Sequence, residues 1–205
     1  DSPELQEILA FTLTWSDNLL AERIARLASQ AAGYSLDDAG VAQTFSDVLS
    51  SFGIEKKNAI IQDASGLSRD NRITAKQVAE LLFKIRQDSK FAALIGGLPV
   101  GGVTGTLRHR FIETAPQAVG LIKAKTGTLN GTANLAGLNG TANLAGYVES
   151  GDREYAFVIF ADRLRKGSVA ESRARNTVDR LLGKVAEPLL PEFLPTQSEV
   201  SISAN

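Results

Sequence analysis

The sequence has no cysteine, no methionine, a single histidine and a single tryptophan. Without cysteine there can be no thiol nucleophile, no thiolate metal site and no disulfide. With His109 as its lone imidazole, the chain is poorly supplied for a histidine metal cage or a Ser-His-Asp triad. An excess of one charge is missing as well: 22 Lys and Arg stand against 23 Asp and Glu, for a formal net charge of -1. That balance argues against a nucleic-acid partner, and no apolar run is long enough to span a bilayer. A small molecule or another polypeptide is the expected partner. Asp1 leads directly into PELQEILAFTL with neither an initiator methionine nor a signal peptide, so the chain is expected to be a processed or excised piece of a longer protein.

What is present is ordinary globular material: 205 residues, 43% of them apolar, enough to bury a real core. From Pro3 to about Ser29, Leu5, Ile8, Leu9, Leu13, Leu19, Leu20, Ile24 and Leu27 recur at helical spacing, interrupted at Trp15-Ser16-Asp17-Asn18 by residues that favour caps and turns. Two helices meeting at a polar corner are expected there. A third helix is expected from Ser35, capped by its hydroxyl with Asp38 as the reciprocal carboxylate, and stopping near Gly53. NAIIQDASGLSRDN reads as a short strand running into a loop, and Thr74 with Gln77 as a capping box opening a helix that ends near Asp88. Gly96 to Gly105 is too glycine-rich for regular structure. GLIKAKTGTL then reads as a strand, Ser150-Gly151-Asp152 as the turn of a hairpin, and Ser168 to about Glu187 as a closing helix with Val169, Val178, Leu181, Leu182 and Val185 on its apolar face. This order predicts an α/β domain of α+β type, an antiparallel sheet flanked by helices, over residues 1–187, followed by a Pro-rich tail over 188–205.

Two motifs carry the chemistry. Ser16-Asp17-Asn18 lies at the helix corner, and Lys125-Thr126-Gly127-Thr128 lies on a strand. Each alone is a common cap or loop entry; the pair, in this order and spacing, resembles the serine penicillin-recognising enzymes with their S-x-x-K, S-D-N and K-T-G signature. Asp63-Ala64-Ser65-Gly66-Leu67-Ser68-Arg69, the stretch from Leu98-Pro99 to Gly105-Thr106-Leu107, and KTGTLNG leading into LAGYV are similar to the penicillin-binding protein 4 type of D-alanyl-D-alanine carboxypeptidase/endopeptidase, peptidase family S13. The similarity runs over nearly the whole chain up to the tail. A class A β-lactamase would also need an E-x-x-L-N motif, which this sequence lacks.

The resemblance implies a β-lactamase/transpeptidase-like fold, incomplete in this chain, and an acyl-enzyme mechanism on peptidoglycan stem peptides, with β-lactams as further ligands and no metal or organic cofactor. It implies a proton-relay role for Ser16 and a hold on the substrate's amide side chain for Asn18. Lys125 would supply positive charge beside Ser16. The Thr126 and Thr128 hydroxyls would bind the substrate carboxylate, with the Thr128 N–H as an oxyanion donor, and Gly127 would leave room for a peptide against the strand. It also implies a compartment outside the cytoplasmic membrane. One element is absent: no S-x-x-K occurs anywhere in the sequence. The nucleophile is therefore expected on an N-terminal portion of the same enzyme, with this chain as the C-terminal part of the catalytic domain. The rival readings are a non-catalytic peptide-binding module with the same cleft and a serine β-lactamase.

Other residues read more simply. His109 is expected to be solvated, Arg108 and Arg110 to form structural ion pairs, Ser65 and Ser68 to stabilise a turn, and Trp15 to lie in the core. The nine-residue phrase LNGTANLAG occurs twice, at Leu129 to Gly137 and Leu138 to Gly146. Threading nine extra residues through a strand would turn every later side chain to the other face. One copy is therefore expected to pair and the other to stand out between Asn130 and Gly140, leaving Thr141 to Glu149 as the return strand; the second copy could instead be an error of sequence assembly.

Overall fold

The computed structural model describes residues 3–129, 138–165 and 168–187. Helix α1 (Leu5–Trp15) opens with a capping box between Glu4 and Glu7, and α2 (Asn18–Ala31) follows after only two residues. α3 spans Asp38–Ser51. Its cap is Asp37, whose carboxylate accepts from the Gly40 N–H at 2.9 Å; the expected cap, Ser35, donates to Asp37 instead, and Asp38 pairs with Arg26 at 2.8 Å. A carboxylate in the position next to the first turn satisfies the orphan N–H more strongly than a hydroxyl two residues further away.

The expected strand in NAIIQDASGLSRDN is reduced to one bridge between Ile60 and Arg72. The loop between them is organised by the Asp63 carboxylate, which takes the Ser68 N–H (2.7 Å), the Gly66 N–H (3.0 Å), the Ser65 hydroxyl (3.0 Å) and the Asn71 amide (2.6 Å). Burial raises the Asp63 pKa, but these donors outweigh it and hold the carboxyl below its ordinary value. The serines of this loop thus stabilise a turn, as expected.

Helix α4 (Ala75–Arg86) begins at the Thr74–Gln77 capping box. Its Gln77 side chain, buried, also donates to the Glu55 carbonyl at 2.7 Å. A turn over Ser89–Phe91 and a short helix α5 (Ala92–Gly96) then precede the glycine-rich segment, a piece of regular structure that the sequence pattern did not announce.

The sheet has three antiparallel strands in the order β1 (Ile122–Leu129), β2 (Leu138–Ser150), β3 (Arg153–Arg165), and α6 (Ser168–Ala186) follows. Alternation separates its faces. Ile122, Ala124, Leu144 and Val148 point into a core closed by Val178, Leu182 and Ala186 of α6 together with Leu107 and Phe111. On the opposite face Tyr147 reaches α4, where its hydroxyl donates to the Leu82 carbonyl at 2.8 Å. The α6 stripe is narrower than expected. Positions 178, 182 and 186 form one row, whereas Val169, Leu181 and Val185 lie outside it and are exposed.

The second copy of the repeated phrase supplies the return strand, with Leu129 opposite Thr141 and Ile122 opposite Val148. Of the part expected to stand out, residues 130–137 lie outside the described residues, as does the tail over 188–205, while residues 138–140 instead begin β2 and pair with β3, Leu138 opposite Arg165 and Gly140 opposite Leu164.

Gly146 stands opposite Ala124 in the β1–β2 pair, and a Cβ on it would fall 2.1 Å from the Lys123 carbonyl oxygen and 2.5 Å from Ala124 Cα. Both obstacles are backbone, so neither can swing away. Gly146→Ala is expected to lower stability by about 2–3 kcal/mol or more. A melting temperature unchanged from the parent protein would show that the strands can part there.

Candidate active site

The S-D-N corner is a product of capping. α1 ends at Ser16, whose backbone is left-handed (φ 59°, ψ 49°) and whose N–H bonds back to the Thr12 carbonyl. Asp17 caps the next helix by accepting the Leu20 N–H at 2.9 Å, and Asn18, its first residue, is exposed. Left-handed backbone costs a non-glycine residue on the order of 1–2 kcal/mol. Here it turns the Ser16 side chain out of the helix and toward β1.

There Ser16 meets Lys125. The Lys125 Nζ donates to Ser16 Oγ at 2.6 Å and to the Thr126 carbonyl at 2.8 Å. An ammonium has three protons, so one stays available to a ligand. The two motifs, 109 residues apart between Ser16 and Lys125, are thus joined at their reactive atoms. The rest of the K-T-G motif continues along β1: Thr126 opposite Leu144, Gly127 opposite Asn143, Thr128 opposite Ala142. A Cβ on Gly127 would sit 3.3 Å from the Asn143 Cβ, so the glycine keeps this stretch flush with its neighbour.

The outer edge of β1 is half covered. Ala124 N–H donates to the Pro99 carbonyl and Gly101 N–H to the Ile122 carbonyl, both at 2.9 Å. Strand alternation then aims the N–H groups of Thr126 and Thr128 at the same outer edge, where no backbone partner meets them among the described residues. That uncovered stretch can accept an extended peptide by strand addition. Thr106 was missed as a neighbour of this stretch: its hydroxyl lies 3.0 Å from that of Thr126. The only sequence signal for it is the phrase Gly105-Thr106-Leu107 itself.

The remaining candidates are peripheral. His109 is exposed, as expected, and accepts from Arg108 Nε at 3.0 Å. Arg108 has no ion pair among the described residues. It covers the Trp15 ring, 5.8 Å from the centroid, and Trp15 is half exposed, contrary to its expected core position, because the end of α1 turns it outward. Arg110 does form the expected ion pair, with the buried Asp179 of α6, which also accepts from Thr114 at 3.3 Å. A polar hollow of about 320 Å³ beside this pair contains none of the motif residues. Among the described residues no cluster of His, Asp and Glu could hold a metal ion.

The model of the D-Ala-D-Ala carboxypeptidase 3 (S13) family matches residues 1–185. The chain belongs to this family. It is 38% identical over 140 residues to Carboxypeptidase DacB of Mycolicibacterium smegmatis, covering 66% of this chain and 30% of that protein. It is 35% identical over 164 residues to a D-alanyl-D-alanine carboxypeptidase of an Actinomadura species, covering 77% of this chain and 28% of that one. It thus spans less than a third of the length of either curated relative. Penicillin binding protein 4 of Haemophilus influenzae, solved with a β-lactam, superposes with a TM-score of 0.75 at 26% identity, over 88% of this chain and 41% of that one. A β-lactamase of Chitinophaga pinensis shares the fold at a TM-score of 0.65 and 21% identity, covering 90% of this chain and 66% of that one. The antiparallel sheet flanked by helices is therefore of β-lactamase/transpeptidase type.

Burial pushes the Lys125 ammonium below the ordinary lysine value of 10.5. Between its folded pKa and 10.5 the unfolded chain binds more protons than the folded one, so stability rises with pH across that window and falls as pH drops through the folded value. At neutral pH the protonated amine is a net cost to the fold. Lys125→Met is expected to unfold at a higher temperature than the parent protein at about pH 7, with the advantage shrinking toward 10.5. A difference independent of pH would show that desolvation of the amine is not its source.

Proposed function

We propose that this chain is the C-terminal part, over residues 1–187, of the catalytic domain of a serine-type D-Ala-D-Ala carboxypeptidase/endopeptidase. The observation that carries this is the 2.6 Å bond between Lys125 Nζ and Ser16 Oγ, which joins the S-D-N and K-T-G motifs beside an uncovered strand edge. The nucleophile is assigned to an N-terminal portion of the same enzyme, because no S-x-x-K occurs in this chain. Leu5, Phe11, Leu19 and Leu27 stand exposed on α1 and α2, apolar surface that such a portion would cover.

In this mechanism the stem peptide or a β-lactam lies along β1 with its carboxylate at the Thr126 and Thr128 hydroxyls. Asn18 holds an amide of the substrate. The nucleophile's hydroxyl gives its proton to the lysine of its own S-x-x-K motif as its oxygen attacks the penultimate D-Ala carbonyl, and the oxyanion takes the Thr128 N–H. Ser16 passes its proton to the departing amine and takes one back from the S-x-x-K lysine, the C–N bond breaks, and water later hydrolyses the ester to free the serine and the shortened peptide. Lys125 lowers the cost of that relay by holding positive charge against Ser16 Oγ and draws in the carboxylate. Each step is acid–base and acyl-transfer chemistry of side chains, with no call on a cofactor. The substrate places the enzyme outside the cytoplasmic membrane, in solution or membrane-associated; no helix among the described residues is long and apolar enough to cross one.

The same lack of S-x-x-K favours a second reading, a non-catalytic peptide-binding module. Labelled benzylpenicillin separates the two. On the enzyme reading, the native protein containing this chain becomes acylated on a serine outside residues 1–205, the isolated chain takes no label, and Lys125→Ala slows acylation about 100-fold or more. Label on Ser16 would mean that the nucleophile has been misplaced, and a native protein that takes no label would favour the binding module.

A further inference from the structure

We propose that Thr106 is a positioning residue for carboxylate recognition, acting through Thr126. The inference rests on the enzyme reading above and assigns a role to a residue outside the three motifs. The two hydroxyls lie 3.0 Å apart, close enough for one hydrogen bond, and each has a single proton. If Thr126 donates to Thr106, it turns a lone pair toward the strand edge, where a carboxylate would be repelled. If Thr106 donates to Thr126, the Thr126 proton is free to point at the carboxylate, and the two bonds in series polarise each other. A bound carboxylate therefore selects the second arrangement, and the Thr106 hydroxyl makes it available.

The loop carrying Thr106 is built to hold it still. Gly105 adopts φ 56° against the end of α1, where a Cβ would meet the Thr14 carbonyl and approach Thr14 Cγ2 to 2.8 Å. The Thr14 hydroxyl donates to the Gly97 carbonyl at 2.8 Å, and the Gly102 N–H donates to the Leu107 carbonyl at 3.0 Å. Leu107, next to Thr106, is fully buried. Arg110 is fastened to Asp179 just beyond. Thr126 is held from its other side, its carbonyl accepting from Lys125 at 2.8 Å. The backbone of Thr126 is thus fixed by the lysine and its hydroxyl by Thr106. This loop therefore sets the direction of a hydroxyl that the K-T-G motif supplies.

The test compares benzylpenicillin, which has a carboxylate, with its methyl ester, which does not, as acylating agents of the native protein. Thr106→Val is expected to slow acylation by benzylpenicillin about five- to tenfold, the worth of one hydrogen bond, and to leave the slower reaction with the ester unchanged. Thr106→Ser, which keeps the hydroxyl, restores the parent rate. In a Thr126→Val background the Thr106 change has no further effect, as a residue acting through Thr126 requires. Equal slowing of both reagents, or no slowing of either, overturns the proposal while leaving the enzyme reading intact. A parent protein that neither reagent acylates overturns both.

Discussion

The bond from Lys125 Nζ to Ser16 Oγ is the constraint around which the rest is arranged. It requires a hydroxyl at the end of one helix, aimed sideways, and an ammonium drawn into partly buried surroundings. Both requirements oppose stability. A glycine at position 16 would relieve the left-handed backbone but would remove the hydroxyl, and an apolar residue at 125 would relieve desolvation but would remove the charge. The fold absorbs these costs locally. The Ser16 and Asp17 N–H groups both return to the Thr12 carbonyl, and the Asp17 carboxylate takes the Leu20 N–H, so these three backbone donors stay hydrogen-bonded through the turn.

The strand edge beyond Lys125 is a second compromise, between closing an edge and leaving it open. Uncovered edges invite association with other chains, and the segment Pro99–Gly101 covers β1 as far as Ala124. It then lifts away, and the chain returns at Thr106 to touch only a side chain. Glycines make that departure possible: Gly102 and Gly105 both take positive φ, 71° and 56°. The Arg110–Asp179 pair anchors the far end of the loop to α6. Being buried, it adds little net stability, because desolvation offsets most of the attraction, but it restricts the loop to one placement.

What could be read in the sequence was what is decided within a few residues. The Thr74–Gln77 box, the helix corner at Ser16-Asp17, and the hairpin turn at Gly151-Asp152 each depend on adjacent backbone and side chains, and each formed where its residues stand. The S-D-N and K-T-G residues were legible as a pair. Thr106 was not, because its partner is twenty residues away and nothing in its own neighbourhood points to that contact. Trp15 and the outer residues of α6 were misplaced for a related reason: apolar character says that burial is favourable, but the packing of other elements decides which apolar residues obtain it. The Ile60 segment has strand-forming residues yet makes a single bridge, since among the described residues no partner strand lies alongside it.

The repeated phrase shows how a sheet can receive nine extra residues without losing its faces. In a single copy, Leu129 and the following Thr132 would flank an Asn-Gly pair, the residues of a two-residue hairpin turn. With two copies, Thr141 stands opposite Leu129 in the place Thr132 would have taken, and Ala142, Leu144 and Val148 are buried. Had the extra residues been threaded along the strand, their odd number would have exchanged these residues for Thr141, Asn143 and Ala145 on the core side. Lengthening a connection from two residues to the eight that separate Leu129 from Leu138 costs only on the order of 1 kcal/mol. Turning the core face of β2 outward would cost several times that, since one buried leucine alone is worth about 1.5–3 kcal/mol. The register of β1 and β2, and with it the placement of Lys125 against Ser16, is therefore insulated from the duplication that follows it.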